Sequence, residues 1–257
     1  MNRNRLIMFT CGAALLGVIS RLFQLIVMTE ANTGFILKQY SAFSTAITVF
    51  IFVLIASVCL AASLTKIKGL KPYATYPSLF VAVAVLAGIA LVLEPLTLNY
   101  YKTLPLSVRI VCIVLSALSA VVMALFAISK TGRKEFNNIY LCVIIFCQFM
   151  RLVLAFMSTS KIVTVNDNIY ELGFLCAAVM FFVYFAQCHT NSGNERTPAK
   201  MLTTGVCSAC FAAISALPKV VTLIIGRSEL FYNGTSSVFT DITLGLFIFL
   251  AALEVKE

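Results

Sequence analysis

Met201–Gly226 reads MLTTGVCSACFAAISALPKVVTLIIG, 26 residues of almost unbroken apolar sequence. At about 1.5 Å of rise per residue, a helix of that length crosses a bilayer with some tilt. One face differs from the rest. Thr204, Ser208, Ala212, Ser215, Lys219, Thr222 and Gly226 recur at gaps of three and four, the period of a single helical stripe. Leu202, Val206, Phe211, Leu217, Val220, Leu223 and Ile225 fill the other faces. A small and polar stripe on an apolar helix marks packing inside a membrane bundle. Lys219 sits in that stripe directly after Pro218, which removes a backbone donor and frees a carbonyl one turn back.

The rest of the chain has the same character. Hydrophobic residues make up 61% of it and charged residues 11%, and the mean hydropathy is +1.00. A soluble domain is roughly half apolar and a quarter charged, so lipid is the expected solvent and the bilayer the first partner. The net charge of +9 is not a nucleic-acid footprint, because no basic patch carries interleaved aromatics. The composition implies an all-α, polytopic helical membrane bundle.

Eight spans are expected, at about 6–29, 41–64, 78–98, 105–129, 140–159, 169–188, 201–226 and 237–253. The first resembles a signal peptide in its Arg3 and Arg5, but its apolar run is too long and no clean small-residue cleavage site follows. It reads as a transmembrane helix. No soluble segment exceeds about 20 residues, so residues 1–257 are expected to form one integral membrane domain without an attached catalytic or sensor domain.

Loop charge sets the expected orientation. The N-terminus, the 2–3, 4–5 and 6–7 loops and the C-terminus hold eleven Lys and Arg, whereas the alternate loops hold Lys38, Lys102, Lys161 and Arg227. Basic residues mark the cytoplasmic side. Both termini are therefore expected in the cytoplasm, with the protein in the cell membrane.

The nine cysteines lie within spans or, for Cys188, at a span end, which gives no outward disulfide framework. Cys207-x-x-Cys210 has redox-motif spacing but lies in a membrane helix, where cysteine serves as a small buried hydrophobe. His189, the one histidine, is placed in a cytoplasmic loop and cannot by itself form a metal cage. No Ser or Cys stands in a nucleophile motif. The chain is expected to be neither an enzyme nor a metal or cofactor protein. Asn233-Gly-Thr235 fits the glycosylation acceptor pattern.

Ionisable residues inside the spans carry the functional signal. Arg21, Glu94, Arg151 and Lys219 lie on spans 1, 3, 5 and 7, each several residues before the outward end. That is about 8–12 Å below the outer boundary. Arg109, Glu171 and Asp241 lie just inside the outward starts of spans 4, 6 and 8. Helical side chains lean toward their own N-terminus. On the even spans that lean lets a charge reach water, whereas on the odd spans it points inward, against snorkelling. Glu94, the one acid of the deeper set, should face Arg21, Arg151 or Lys219. Lys219 is the favoured partner, because Pro95 and Pro218 both allow local backbone adjustment.

Gln24 follows Arg21 by three residues and Gln148 precedes Arg151 by three, so each amide shares a face with its guanidinium. Both arginines are followed by Leu, which would suit a duplication of spans 1–4 and 5–8, although the halves do not otherwise align. Cys112, Ser116, Ala120 and Ala124 form a small-residue run on span 4, and Ser41, Ser44, Thr45 and Thr48 crowd one end of span 2.

Two functional classes fit. One is a protein that binds or transports a small anionic or zwitterionic molecule through an outward-facing polar cavity. Arg21, Gln24, Glu94, Gln148, Arg151, Ser215, Lys219 and Thr222 are its candidate ligands, with Arg109, Glu171 and Asp241 as a secondary set. The other is a non-catalytic accessory or sensor subunit whose charges grip a membrane protein partner.

Overall fold

The computed structural model describes residues 3–30, 36–67, 69–70, 75–132, 136–159, 165–190, 192–226 and 235–256. Lys68, Lys71, Arg133, Lys134, Lys161, Arg227 and Asn233 lie outside them. Among the described residues the helices are α1 (Arg3–Met28), α2 (Ser41–Ser63), α3 (Pro77–Thr97), the short α4 (Asn99–Lys102), α5 (Leu106–Ser129), α6 (Leu141–Thr159), α7 (Val165–His189), α8 (Thr197–Ile224) and α9 (Thr235–Ala252). Seven are long and apolar enough to cross a membrane; the apolar part of α9, Ser237–Ala252, is shorter. The protein is an all-α helical bundle and a multi-pass membrane protein.

Local sequence explains several boundaries. Proline in the first turn of α3 and of α8 occupies positions whose N–H has no helical partner in any case. Gly226, with φ +81°, follows the end of α8 in the left-handed conformation that favours glycine.

α8 is the centre of the bundle, packed against α1, α2, α7 and α9. Ser208, Ala212, Ser215, Lys219 and Thr222 of its small and polar stripe are buried, whereas Thr204 is only partly so and Gly226 is exposed. Leu202, Val206 and Phe211 are buried as well. An element surrounded by four others hides several faces, so the stripe is one contact surface and not the sole inward side. Around α8, α3 packs against α5 and α9, while α6 joins α5 to α7. Lipid-facing side chains such as Leu15, Val53, Val121 and Phe146 cover the outside.

Small residues let the helices approach closely. Gly88 of α3 abuts Ala120 of α5, Gly245 of α9 abuts Ala212 of α8, and Gly205 of α8 receives Ala252 and Phe181. Ala120 belongs to the run read as a packing face on span 4. Hydrogen bonds cross the helices too: Thr240 Oγ1 donates to the Ala90 carbonyl at 3.2 Å, tying α9 to α3.

The base-rich loops gather at one end. Gly69–Leu70, a two-residue strand β1, pairs antiparallel with β2 (Val255–Lys256), joining the α2–α3 loop to the C-terminal segment. Glu254 accepts from the Thr75 N–H at 3.0 Å, and Asn138 Nδ2 donates to the His189 carbonyl at 2.7 Å. The segments that follow α2, α5, α7 and α9 therefore share one end. His189 differs from the expected loop placement: it closes α7, with its ring against Phe126 and Phe185 at centroid distances of 5.0 and 4.6 Å. Aromatic surface from α5 extends the α7 packing by that last residue.

Candidate functional site

Near the opposite end from the strand pair, Arg151 stands on α6, and its guanidinium is read by three helices. Nε donates to Glu94 Oε1 of α3 at 3.0 Å, and Nη2 lies 2.8 Å from Glu94 Oε2 as an ion contact. Nη2 also donates to Asp241 Oδ1 of α9 at 3.0 Å. Nη1 donates to Gln148 Oε1, one turn back on α6, at 3.0 Å. Arg151 is 7% exposed, Asp241 2% and Gln148 0%. Tyr101, carried back over the centre by α4, directs its hydroxyl toward Glu94 Oε1 at 3.5 Å.

On sequence alone Lys219 is the favoured partner of Glu94; in the structure Arg151 holds that place. Lys219 instead meets Glu171 of α7, Nζ to Oε2 at 3.4 Å. The reason lies in the packing. α8 adjoins α7 along its length, whereas α3 faces α9 and α5, so the lysine reaches the acid on its own neighbour. Asp241 lies within electrostatic reach of both Lys219 and Glu171 as well as of Arg151 and Glu94. The two ion groups thus form one charged centre spanning α3, α6, α7, α8 and α9.

Arg21 and Gln24 build a second polar cluster between α1, α2 and α7. Arg21 Nη1 donates to Gln24 Oε1, and the guanidinium lies 4.9 Å from the centre of the Tyr170 ring. Gln24 Nε2 donates to the Ser44 carbonyl at 3.1 Å, to Ser44 Oγ, and to Thr48 Oγ1 at 3.2 Å. The two Arg–Gln pairs look alike in sequence but differ in their surroundings. In one the amide anchors α2; in the other the guanidinium gathers two carboxylates.

Among the secondary residues, Asp241 and Glu171 turn into the bundle, to Arg151 and Lys219 respectively. Arg109 is partly buried and makes no ion pair among the described residues. Ser215 is buried with a hydroxyl that has no hydrogen-bond partner among the described residues. The Thr222 hydroxyl is engaged by its own helix, donating to the Pro218 and Lys219 carbonyls at 3.1 and 3.0 Å. Tyr101 and Tyr170 are not among the residues singled out by sequence. Tyr101 stands seven residues after Glu94 and Tyr170 directly before Glu171, and that proximity in sequence is the signal that marks them.

No family model matches the chain, and neither does any curated protein or any solved structure. The site's own chemistry is therefore what speaks for function. Among the described residues no cluster of His, Cys, Asp and Glu has metal-site geometry. What the centre offers is a buried guanidinium, a buried ammonium and three carboxylates, with Gln148 Nε2 beside them unpartnered among the described residues. Ser215 Oγ, one turn before Lys219 on α8, and Tyr170 OH, in the Arg21 cluster, are likewise unpartnered among the described residues.

Such an arrangement supplies complementary hydrogen bonds to a solute that carries charge of both signs. It also changes the electrostatic premise. Counted from sequence, the deep charges have a cationic surplus that would seek an anion. In the structure Glu94 and Asp241 attend Arg151, and Glu171 attends Lys219.

Proposed function

We propose that the protein is a non-catalytic carrier of the cell membrane. In this reading both termini are cytoplasmic, and a small zwitterionic solute entering from the outer side binds at the Glu94–Arg151–Asp241 centre. The observation that carries the reading is Arg151, buried and held by side chains from α3, α6 and α9. An intramembrane charge is costly unless paired, and its placement between separate helices is how a binding site forms at a bundle's interior. Glu94 and Asp241 disfavour a purely anionic solute, which would face two carboxylates around the one guanidinium. A zwitterion offers a carboxylate to Arg151 and an ammonium to the acids. Gln148 and Ser215 supply further hydrogen bonds.

The test is a thermal-shift screen of the purified protein against zwitterionic, anionic and cationic metabolites. Zwitterions are expected to raise the melting temperature of the wild type and of Lys66→Gln, and to have no effect on Arg151→Gln. Stabilisation by cations alone, indifferent to Arg151, would overturn the reading. Silence across the panel, with a membrane protein retained through purification, would favour the accessory-subunit alternative.

A further inference from the structure

Two carboxylates lie against one guanidinium. Glu94 holds Arg151 through both of its oxygens and has the Tyr101 hydroxyl nearby. Asp241 holds it through Oδ1 alone, on the Nη2 that Glu94 also contacts. The other charged groups facing Asp241 are Glu171 from α7 and Lys219 from α8, and the Lys219 ammonium already lies on Glu171. Three acids therefore meet two bases in a part of the bundle shielded from water. Like charges sharing one buried site do not both remain ionised at low cost. A single proton removes the excess, and Asp241, the most buried of the three acids and bound to a nitrogen that Glu94 also contacts, is where it is least opposed. Beside the same guanidinium, Gln148 Nε2 is fully buried and has no acceptor among the described residues. Only water or a polar ligand satisfies such a donor, and water at that point gives a proton its way in.

We propose that Asp241 is a proton-binding site. With the five groups assembled as here, its carboxylate takes one proton from water on Oδ2 while Oδ1 keeps the Arg151 contact. Separation of Glu94 from Arg151 leaves the guanidinium to Asp241 alone, and the proton returns to water. On the carrier reading, on which this role rests, the proton is the coupling ion and its release accompanies opening of the bundle.

The proton is tested without any solute, by infrared spectroscopy of the full-length protein in lipid nanodiscs. The wild type is expected to show the C=O stretch of a protonated carboxyl at neutral pH, lost on alkalinisation. Heavy-carbon labelling of aspartate side chains should move that band to lower frequency, and the same labelling of glutamate should leave it in place. The chain has two aspartates, Asp167 and Asp241, so the labelled band should persist in Asp167→Asn and vanish in Asp241→Asn. It should also vanish in Glu94→Gln, where Arg151 neutralises Asp241 unaided. A missing band in the wild type, a band that follows the glutamate label, or one lost in Asp167→Asn would overturn the proposal. Should Asp241→Asn fail to fold, the label together with Asp167→Asn still locates the proton. A carrier reading that failed its solute screen would leave these spectra unchanged.

Discussion

Glu94 meets Arg151 at two points, Nε to Oε1 at 3.0 Å and Nη2 to Oε2 at 2.8 Å. The pair spans α3 and α6, which are otherwise linked through α5, so it closes a gap that apolar packing leaves open. Removing one member strands the other. Arg151→Gln leaves two buried carboxylates without their cation and should cost about 3–5 kcal/mol. Glu94→Gln leaves Arg151 to Asp241 and should cost about 1–3 kcal/mol. In the double variant the loss should be less than the two single losses added, since the pair is then absent as a unit. Thermal melts of the four proteins in one lipid system measure this, and strict additivity would show that the contact carries no coupling.

Orientation is the next expectation. Single cysteines at Asn32 and Asn233 should react with an impermeant thiol reagent applied to intact cells, while those at Lys66 and Ser192 should not. The base-rich loops motivate this, as does the structure's gathering of the α2–α3 loop and the C-terminal segment at one end. Lys66 and Ser192 are exposed, so lack of labelling there would report membrane side and not burial. The reverse pattern would invert the protein in the membrane.

Helix type and the positions of seven spans were legible in the sequence because each of those apolar runs is long enough to cross a bilayer; the expected eighth, around Ser237–Ala252, is shorter. The face of each charge was legible in part. Gln24 and Gln148 stand one turn from their arginines, and both Arg–Gln bonds form. Which charges meet was not legible, because that depends on which helices are neighbours, and one chain's periodicity carries no information about helix order in the bundle. Lys219 and Glu94 both lie near a proline at similar depth, yet α8 and α3 present them to different partners. The same limit explains Asp241. The lean of a side chain toward its own N-terminus suggests an escape to water, but α3 and α6 stand in the way and supply a guanidinium instead. β1 and β2, two residues each, are too short to leave a pattern.

Lys130, just beyond the end of α5, gives a pH expectation outside the spans. Burial pushes its ammonium below the ordinary 10.5, and the Glu254 carboxylate acts in the opposite direction. A base whose folded value is lowered binds fewer protons folded than unfolded between the two values. Its contribution to stability is therefore least favourable at low pH, where both states are protonated, and improves as pH rises toward 10.5. The melting temperature of the wild type minus that of Lys130→Gln should rise across that alkaline window. Glu254→Gln removes the opposing carboxylate and should start the rise at lower pH. A difference that is flat or falling with pH would show that burial does not govern this lysine.

The crossing of α8 and α9 offers the most local test of the fold. A methyl group at Gly245 would stand 2.5 Å from the Ala212 Cβ, closer than two such carbons approach. Neither residue has a flexible side chain that could move aside, so Gly245→Ala must push the helices apart. Overpacking of this kind costs about 1–3 kcal/mol. Both residues also line an apolar groove of about 250 Å³ between α1, α8 and α9, and the groove should widen as the helices separate. Ala212→Gly removes the opposing methyl. Combined with Gly245→Ala it should restore most of the lost stability, less a helix-propensity cost of about 1 kcal/mol for the new glycine. Melting temperatures of the single and double variants decide the matter. A Gly245→Ala protein as stable as the wild type, or a double variant no better than the single, would mean that these two helices do not cross where Ala212 and Gly245 meet.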